Sequence, residues 1–248
     1  MNKETLLFHA SDLHFGYEDR DALSWFIAEV ERERPQAVLC TGDLTMRGTA
    51  REFALAREWL AQVPVPVLLD PGNHDVPYYW YPLARTFRPW RHYRALKAAI
   101  EREPALDDVA VVPLGTVAAG QWRLNWSKGR VTNRGLDAAL QGLAHNQAKG
   151  LRLVTCHHPL LDEGLRSSGS TRGGSRALTA LARAGADAVL SGHVHDAFDL
   201  TVELEQGWPV RMIGAGTLSQ RLRSSPPGFN RLTWSAENGL AVTHRTQG

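Results

Sequence analysis

Short apolar segments that alternate with helical segments constrain this chain most, because that order is typical of a largely parallel β-sheet. Three segments in the first third are predicted strands: Thr5–Ala10, Ala37–Thr41 and Val65–Leu69. Apolar residues at helical spacing predict helices over 21–34 and 49–62, with Asp21 as the N-cap of the first helix and Pro35 ending it. This order predicts a mainly parallel sheet with helices on both faces.

The rest of the chain continues the pattern and then changes. Strands are predicted over 109–117, 122–126, 151–156 and 188–190, helices over 133–149 and 175–184, and four antiparallel strands over 200–204, 210–215, 231–234 and 240–244. Residues 76–104 are rich in Tyr, Trp and Arg and contain several prolines, so they are interpreted as an insertion of mixed helix and loop. With no repeat or linker visible, a single domain over 1–248 is expected.

Composition excludes several classes of protein. The net charge of +2 leaves no global field of the kind that binds long nucleic acids or membrane surfaces. Cys40 and Cys156 lie in apolar runs and are expected to pack in the core without a disulfide. No apolar run approaches the roughly 20 residues that span a bilayer, and no signal peptide is evident, so no integral membrane segment and a cytoplasmic location are expected.

Polar clusters follow five of the predicted strands. In α/β sheets ligands bind beyond the carboxyl ends of the strands, so these clusters are expected to form one site. Each cluster alone occurs more often as an ordinary polar loop, but five in one chain, all after apolar runs, indicate function. They are Asp12-Leu13-His14, Gly42-Asp43, Gly72-Asn73-His74-Asp75, His157-His158-Pro159 and Gly192-His193-Val194-His195.

The donor atoms in these clusters indicate a metal site. Carboxylates, an amide oxygen and neutral imidazoles together suit Mn, Fe, Zn, Co or Ni better than Ca or Mg. Seven ligands are too many for one tetrahedral ion and suit two ions that share a carboxylate. Two such ions clamp a phosphoryl group and hold a hydroxide between them as nucleophile. A His that binds no metal is a natural proton donor to the departing alkoxide.

The order Asp-x-His, Gly-Asp, Gly-Asn-His-Asp, His-x-Pro, Gly-His-x-His resembles that of the calcineurin-like metallophosphoesterases. The stretch Thr41-Gly42-Asp43-Leu44-Thr45, with Gly48 and Glu52-Phe53, is most similar to the class III cyclic-nucleotide phosphodiesterase branch. The resemblance implies a four-layer αββα sandwich, in which two mixed β-sheets pack face to face between helices.

The resemblance also implies a role for each residue. One ion takes Asp12, His14, Asp43 and His195, and the other takes Asp43, Asn73, His157 and His193, with Asp43 bridging. His74 binds no metal, faces the phosphate and protonates the leaving oxygen. The family's His-x-Pro selects His157 over His158, which becomes a supporting or surface residue, and Asp75 stabilises its turn by hydrogen bonding.

The expected function is that of a dinuclear-metal-dependent phosphodiesterase acting on a small or medium substrate. The diester preference comes from the resemblance, since the ligands suit monoesters equally. Alternatives are a phosphomonoesterase, a lipid or nucleotide pyrophosphatase, a nuclease, and a non-catalytic binding scaffold with this fold. Near-neutral charge makes long nucleic acid an unfavourable substrate.

Three further segments have weaker functional interpretations. The aromatic residues 78–81 and the arginines at 85, 88, 91 and 94 suit a base, a phosphate, a lipid headgroup or a homodimer surface. The basic loop 166–176 follows the His157 cluster and is either a gate or a plain mobile loop. Arg221 and Arg223 occupy another loop that can approach the cleft, and no role is predicted for them.

Overall fold

A computed structural model of the chain describes residues 4–78, 81–118, 127–162, 171–204 and 207–248. The predicted strand over 122–126, residues 79 and 80, and residues 166–170 of the loop over 166–176 lie outside these ranges. The strands are β1 Thr5–Ala10, β2 Ala37–Cys40, β3 Val67–Leu69, β4 Val109–Pro113, β5 Leu151–Thr155, β6 Ala188–Ser191, β7 Phe198–Glu203, β8 Pro209–Gly214, β9 Gly228–Ser235 and β10 Gly239–Thr246. The helices are α1 Arg20–Glu33, α2 Ala50–Leu60, α3 Pro82–Phe87, α4 Arg91–Ile100, α5 Asn133–His145 and α6 Gly174–Arg183.

The strands form two five-stranded mixed sheets. The first has the order β10-β9-β1-β2-β3, with β1, β2 and β3 parallel and β9 antiparallel to both β1 and β10. The second has the order β4-β5-β6-β8-β7, with only β7 antiparallel to its neighbour. The carboxyl ends of the central parallel strands therefore lie together at one edge of each sheet.

Alternation along the strands produces four layers. In β1, Phe8 packs with α1 and α2 residues in one core cluster, whereas its neighbour Leu7 packs with residues of the second sheet. In β6, Leu190 joins the same inter-sheet cluster as Leu7, and Val189 packs with α5 and α6 residues. Successive side chains of a strand point to opposite faces of its sheet. One face of each sheet therefore packs against helices, and the other face packs against the second sheet.

The αββα sandwich implied by the family resemblance is confirmed, and the simpler expectation of one sheet covered by helices on both faces is wrong. The strand-helix pattern is the same in both architectures, because it does not specify which strands pair. The strand predicted over 210–215 is also not purely antiparallel: β8 runs parallel to β6 and antiparallel to β7.

The first helix begins two residues earlier than its predicted cap implies. Asp19, not Asp21, is the N-cap, and its carboxylate accepts hydrogen bonds from the amides of Asp21 and Ala22. The helix ends at Glu33 with Arg34 in the left-handed region, as the following Pro35 disfavours a helical residue before it. Among the described residues, no helix has the length and apolarity to cross a membrane, and both cysteines are free and buried.

Candidate metal centre

The polar clusters meet where the carboxyl ends of the two sheets face each other. In the first sheet, the loop after β1 carries Asp12 and His14, the loop after β2 carries Asp43, and the loop after β3 carries Asn73 and His74. Loops after β5 and β6 supply His157, and His193 and His195, from the second sheet. The backbone amide of His193 donates to Asp12 Oδ2 at 2.8 Å, so the two sheets are in contact at this point.

Three of the predicted ligands form a first group. Asp12 Oδ1 lies 3.0 Å from His195 Nε2 and 3.5 Å from His14 Nε2, and the two ring nitrogens are 3.2 Å apart. His14 Nε2 is also 3.8 Å from Asp43 Oδ2. Asp12, His14 and His195 are buried. The donor atoms of this group are close enough to surround one ion.

A second group shares Asp43 with the first. Asp43 Oδ2 lies 3.3 Å from His157 Nε2, and His157 Nε2 lies 3.1 Å from Asn73 Oδ1. The imidazole of His193 packs against that of His157, with ring centroids 5.2 Å apart. Asp43 thus lies between the two groups, at the position that the predicted bridging role requires.

Five of the seven predicted ligands have a left-handed backbone. Their φ angles are 57° at Asp12, 46° at His14, 53° at Asp43, 70° at His193 and 65° at His195. Such conformations cost roughly 1–3 kcal/mol each in residues other than glycine and persist where the surrounding structure imposes them. The strain is concentrated in the loops whose side chains converge on the centre.

Two glycines allow these loops to approach closely. A Cβ at Gly72 would lie 2.0 Å from the amide nitrogen of Asp43, and one at Gly192 would lie 1.8 Å from Ser11 Oγ. No real side chain fits at those distances, so both positions require glycine. The Gly-Asn-His-Asp and Gly-His-x-His patterns therefore have a packing reason as well as a chemical one.

Asp75 holds two of the loops together, as predicted for a residue that stabilises its turn. Its carboxylate accepts hydrogen bonds from the amides of Leu44, Thr45 and Gly72 and from the Thr45 hydroxyl. Burial, with the nearby Asp43 charge, raises the pKa of Asp75 to about 6. The loop that carries Asp43 is thereby fixed against the one that carries Asn73.

Backbone carbonyls orient the two imidazoles that face carboxylates. His157 Nδ1 is 2.8 Å from the carbonyl of Thr41, and His195 Nδ1 is 2.6 Å from the carbonyl of Arg221. A carbonyl only accepts, so each Nδ1 carries a proton and each Nε2 is directed into the centre. Such bonds are the usual means by which proteins fix the ring of a metal-binding His.

The buried carboxylates of the centre attract positive charge. Burial alone would raise the pKa of Asp12, but the imidazoles around it, His195 first, hold the pKa well below its ordinary range. Burial likewise opposes ionisation of Asp43, and His157 lowers its pKa. Burial would lower the pKa of His157, yet the Asp43 carboxylate raises it to about 9. Two ionised, buried carboxylates thus attract protons or cations to the facing ring nitrogens.

These residues fit the two ions that were predicted. Among the described residues Asp12 Oδ1 is buried without a hydrogen-bond partner, although two ring nitrogens lie within 3.5 Å of it. Acceptor atoms this close repel one another unless a proton or a metal ion lies between them. The oxygen and imidazole donors also match first-row transition metals. The assignment of the seven residues as ligands stays a prediction.

His74 lies beside the centre, and a backbone carbonyl orients its ring as in His157 and His195. Its amide donates to Asp43 Oδ1 at 2.7 Å, and its Nδ1 is 2.6 Å from the carbonyl of Met46. The other ring nitrogen, Nε2, therefore faces the centre. The His74 ring meets the His14 ring edge-on at 5.0 Å between centroids. The donor atoms of His74, His14 and Asp43 lie close enough together for a metal ion, so the role that the resemblance implies for His74, acting on the substrate, stays a prediction.

His158 is a buried structural residue. Its Nδ1 is 3.0 Å from Thr116 Oγ1, and its Nε2 is 2.8 Å from the carbonyl of Ser127. With both nitrogens occupied, it has no free donor for a metal, although its ring packs against His193. Of the two interpretations of His158 from the sequence, the supporting role agrees with this arrangement.

Arg221, for which no role was predicted, places its guanidinium in the centre. Its Nη1 is 3.1 Å from His74 Nε2 and 3.3 Å from His14 Nε2.

The four arginines at 85, 88, 91 and 94 have no such contact with the centre. Arg85 is buried and donates to the carbonyl of Pro77, whereas the other three are exposed. The only sequence signal for Arg221 was its position in a Ser- and Pro-rich loop, which many arginines share.

Comparisons with known proteins agree with this architecture. Over 81 residues, 28% of this chain and 29% of the relative, the chain is 35% identical to a glycerophosphodiester phosphodiesterase of Enterobacter lignolyticus. A dimetal phosphatase from Danio rerio has a similar structure, with a TM-score of 0.67, 14% identity, and coverage of 98% of this chain and 99% of that one.

A protein described as the anchor in the inner membrane complex of Plasmodium shares the fold as well, with a TM-score of 0.64, 15% identity, and coverage of 98% and 84%. The sequence model of the calcineurin-like phosphoesterases matches residues 6–197, which include all seven predicted ligands and His74. Proteins of this family are phosphoester hydrolases with two metal ions, as the resemblance of the motifs implied. The chain belongs to the calcineurin-like phosphoesterase family.

Proposed function

We propose that this protein is a two-metal phosphodiesterase that hydrolyses a small or medium phosphodiester. The observation that supports the proposal best is that the seven predicted ligands meet where the two sheets face each other, with His74 hydrogen-bonded to Asp43 beside them. Bound ions would neutralise the phosphate oxygens and supply a water of lowered pKa as the nucleophile. Diester preference is supported by the partial similarity to a glycerophosphodiester phosphodiesterase.

The chain's own residues would position the substrate and deliver a proton. Asp43 is held by the His74 amide on one carboxylate oxygen, which leaves the other directed at His14 and His157. His74 is anchored at Nδ1 by Met46, so its Nε2 is the atom that would protonate the leaving alkoxide. A positioned general acid of this kind typically contributes roughly 10²–10⁴-fold to the rate.

The charge of the chain favours a small substrate. A net charge of +2 provides no extended basic surface for a long nucleic acid.

Metal reconstitution tests the proposal. The metal-stripped protein is reloaded with Mn, Fe, Zn, Co or Ni, and rates are measured on an aryl phosphodiester, an aryl monoester, cyclic nucleotides, a glycerophosphodiester and a lipid diphosphate. We expect two ions per chain and a faster reaction with a diester than with the matched monoester. Inactivity on every substrate with both ions bound would overturn the proposal and favour a non-catalytic scaffold with this fold.

His74→Ala tests the acid. The variant should keep both ions and lose about 10²–10⁴-fold on alkyl esters, whose alkoxide needs a proton, but much less on aryl esters. His145→Ala, at the exposed end of α5, is the matched control and should match the wild type. Equal losses on alkyl and aryl esters would contradict the acid role.

A further inference from the structure

In the described part of the chain, the Arg221 guanidinium reaches the centre beside His74 and His14. Its Nη1 lies 3.1 Å from His74 Nε2 and 3.3 Å from His14 Nε2. It is therefore next to both the imidazole proposed to protonate the leaving group and an imidazole proposed to bind metal. The sulfur of Met46 lies 3.9 Å from the same nitrogen.

Arg221 forms no ion pair with a carboxylate among the described residues. Other arginines do form such pairs: Arg211 with Asp199, Arg231 with Glu33, and Arg245 with both Glu29 and Glu33. The contacts of Arg221 are instead ring nitrogens and a thioether, which carry no negative charge. A partly buried guanidinium in this setting has its charge available for an anion.

The backbone around Arg221 is fixed on both sides. Before it, the Gln220 amide donates to the carbonyl of Tyr17, and the Arg221 carbonyl accepts a bond from His195 Nδ1 at 2.6 Å. After it, Asp196 accepts bonds from the amides of Ser224 and Ser225 and from the Ser224 hydroxyl. The backbone at Arg221 is therefore held against the loop that carries His195, so this backbone needs little ordering when an anion binds.

We propose that Arg221 is a substrate-binding residue that donates hydrogen bonds to a non-bridging oxygen of the phosphoryl group. The planar guanidinium suits phosphate oxygens, and charge-assisted bonds of this type strengthen as negative charge develops in the transition state. The oxygen would replace His74 Nε2 as the partner of Arg221, which frees that nitrogen to face the leaving group. This inference rests on the proposed function.

Phosphate binding to the metal-loaded protein tests the role of Arg221. Inorganic phosphate is titrated by calorimetry into wild type, Arg221→Gln and Arg221→Lys, and the metal content of each is measured. We expect two ions per chain in all three and a phosphate Kd at least about tenfold weaker in the Gln variant, the loss of one charge-assisted bond. The Lys variant should bind phosphate more tightly than the Gln variant but less tightly than the wild type, because lysine keeps the positive charge and lacks the planar guanidinium.

Arg223→Gln is the matched control, since Arg223 is exposed two residues along the same loop. It should bind phosphate like the wild type. In steady-state kinetics, Arg221→Gln should lose kcat/KM on aryl and alkyl diesters alike, unlike His74→Ala. An unchanged phosphate Kd in Arg221→Gln would overturn the inference, and so would a loss shared by Arg223→Gln.

The two proposals fail in different ways. If the loaded wild type hydrolyses no ester yet binds phosphate through Arg221, the proposed function is wrong and the phosphate site stands. If the wild type hydrolyses diesters and Arg221→Gln binds phosphate normally, the proposed function stands and the inference on Arg221 is wrong.

Discussion

Asp43 shows how closely single residues in this centre depend on their neighbours. One carboxylate oxygen accepts the His74 amide, and the other faces His14 and His157. Its backbone is left-handed, with φ of 53°, and it packs against Gly72 with no space for a side chain there. The geometry of the proposed bridging ligand is therefore set by a residue that offers no ligand atom.

Gly72→Ala should disable the centre without touching a ligand. The added Cβ would lie 2.0 Å from the Asp43 amide nitrogen and 2.1 Å from Asp43 Oδ1, so the carboxylate must move. We expect fewer than two ions per chain by elemental analysis and a free energy of unfolding lower by about 1–3 kcal/mol. Gly115→Ala is the control, because nothing lies within 4 Å of the position that a Cβ would take there. Full metal content in Gly72→Ala would refute this explanation of the glycine.

At the scale of elements, helix α2 stabilises the loop that carries Asp43. Thr49 caps the helix by accepting a bond from the Glu52 amide, and the Glu52 carboxylate accepts bonds from the amides of Thr49 and Arg47. This capping box follows directly on the segment from Asp43 to Gly48. The sequence contains its signature, Thr-x-x-Glu, but the predicted helix over 49–62 did not use it.

Thr49→Ala should lower the free energy of unfolding by about 1 kcal/mol, the typical value for loss of an N-cap. Ser24→Ala, on the exposed face of α1, should stay within about 0.5 kcal/mol of the wild type. Urea unfolding of the metal-loaded protein, followed by circular dichroism, measures both. If the two variants proved equally stable, the cap would have no special role.

At the scale of the whole molecule, each proposed ion would join the two sheets. Asp12, His14, Asp43 and Asn73 follow strands of the first sheet, whereas His157, His193 and His195 follow strands of the second. Each predicted ligand set takes residues from both. The sheets are also joined by an apolar cluster that includes Leu7, Leu153 and Leu190, and by hydrogen bonds such as the one that Asn230 Nδ2 donates to the carbonyl of Gly214.

Metal removal should therefore destabilise the fold as well as abolish activity. A site with free ion at roughly a thousand times its Kd adds about 4 kcal/mol to the free energy of unfolding. We expect a chelator to lower the Tm of the wild type, and Asp43→Asn to show a much smaller metal-dependent change. An unchanged Tm after chelation, in protein that had carried two ions, would contradict the link between the sheets.

Local patterns were sufficient for the elements and for the choice of candidate residues. The apolar periods predicted most strands within a few residues, and β1 at both ends, because period 2 and period 3.6 are properties of neighbouring residues. Residue type, together with a position directly after an apolar run, likewise indicated that Asp12, Asp43 and His157 are candidate ligands. The family and its αββα fold followed from the motif order and are confirmed by the comparisons.

Features that depend on pairing between distant segments were visible only in the three-dimensional structure. The division into two sheets, the parallel pairing of β8 with β6, and the arrival of Arg221 beside His74, 147 positions away, had no local signal. The apolar pattern of a strand indicates that the strand is buried but not which strand it pairs with. An arginine in a loop belongs to no such pattern. Residue types and their order along the chain specify which groups are available for chemistry, and the packing of the two sheets specifies which of these groups meet.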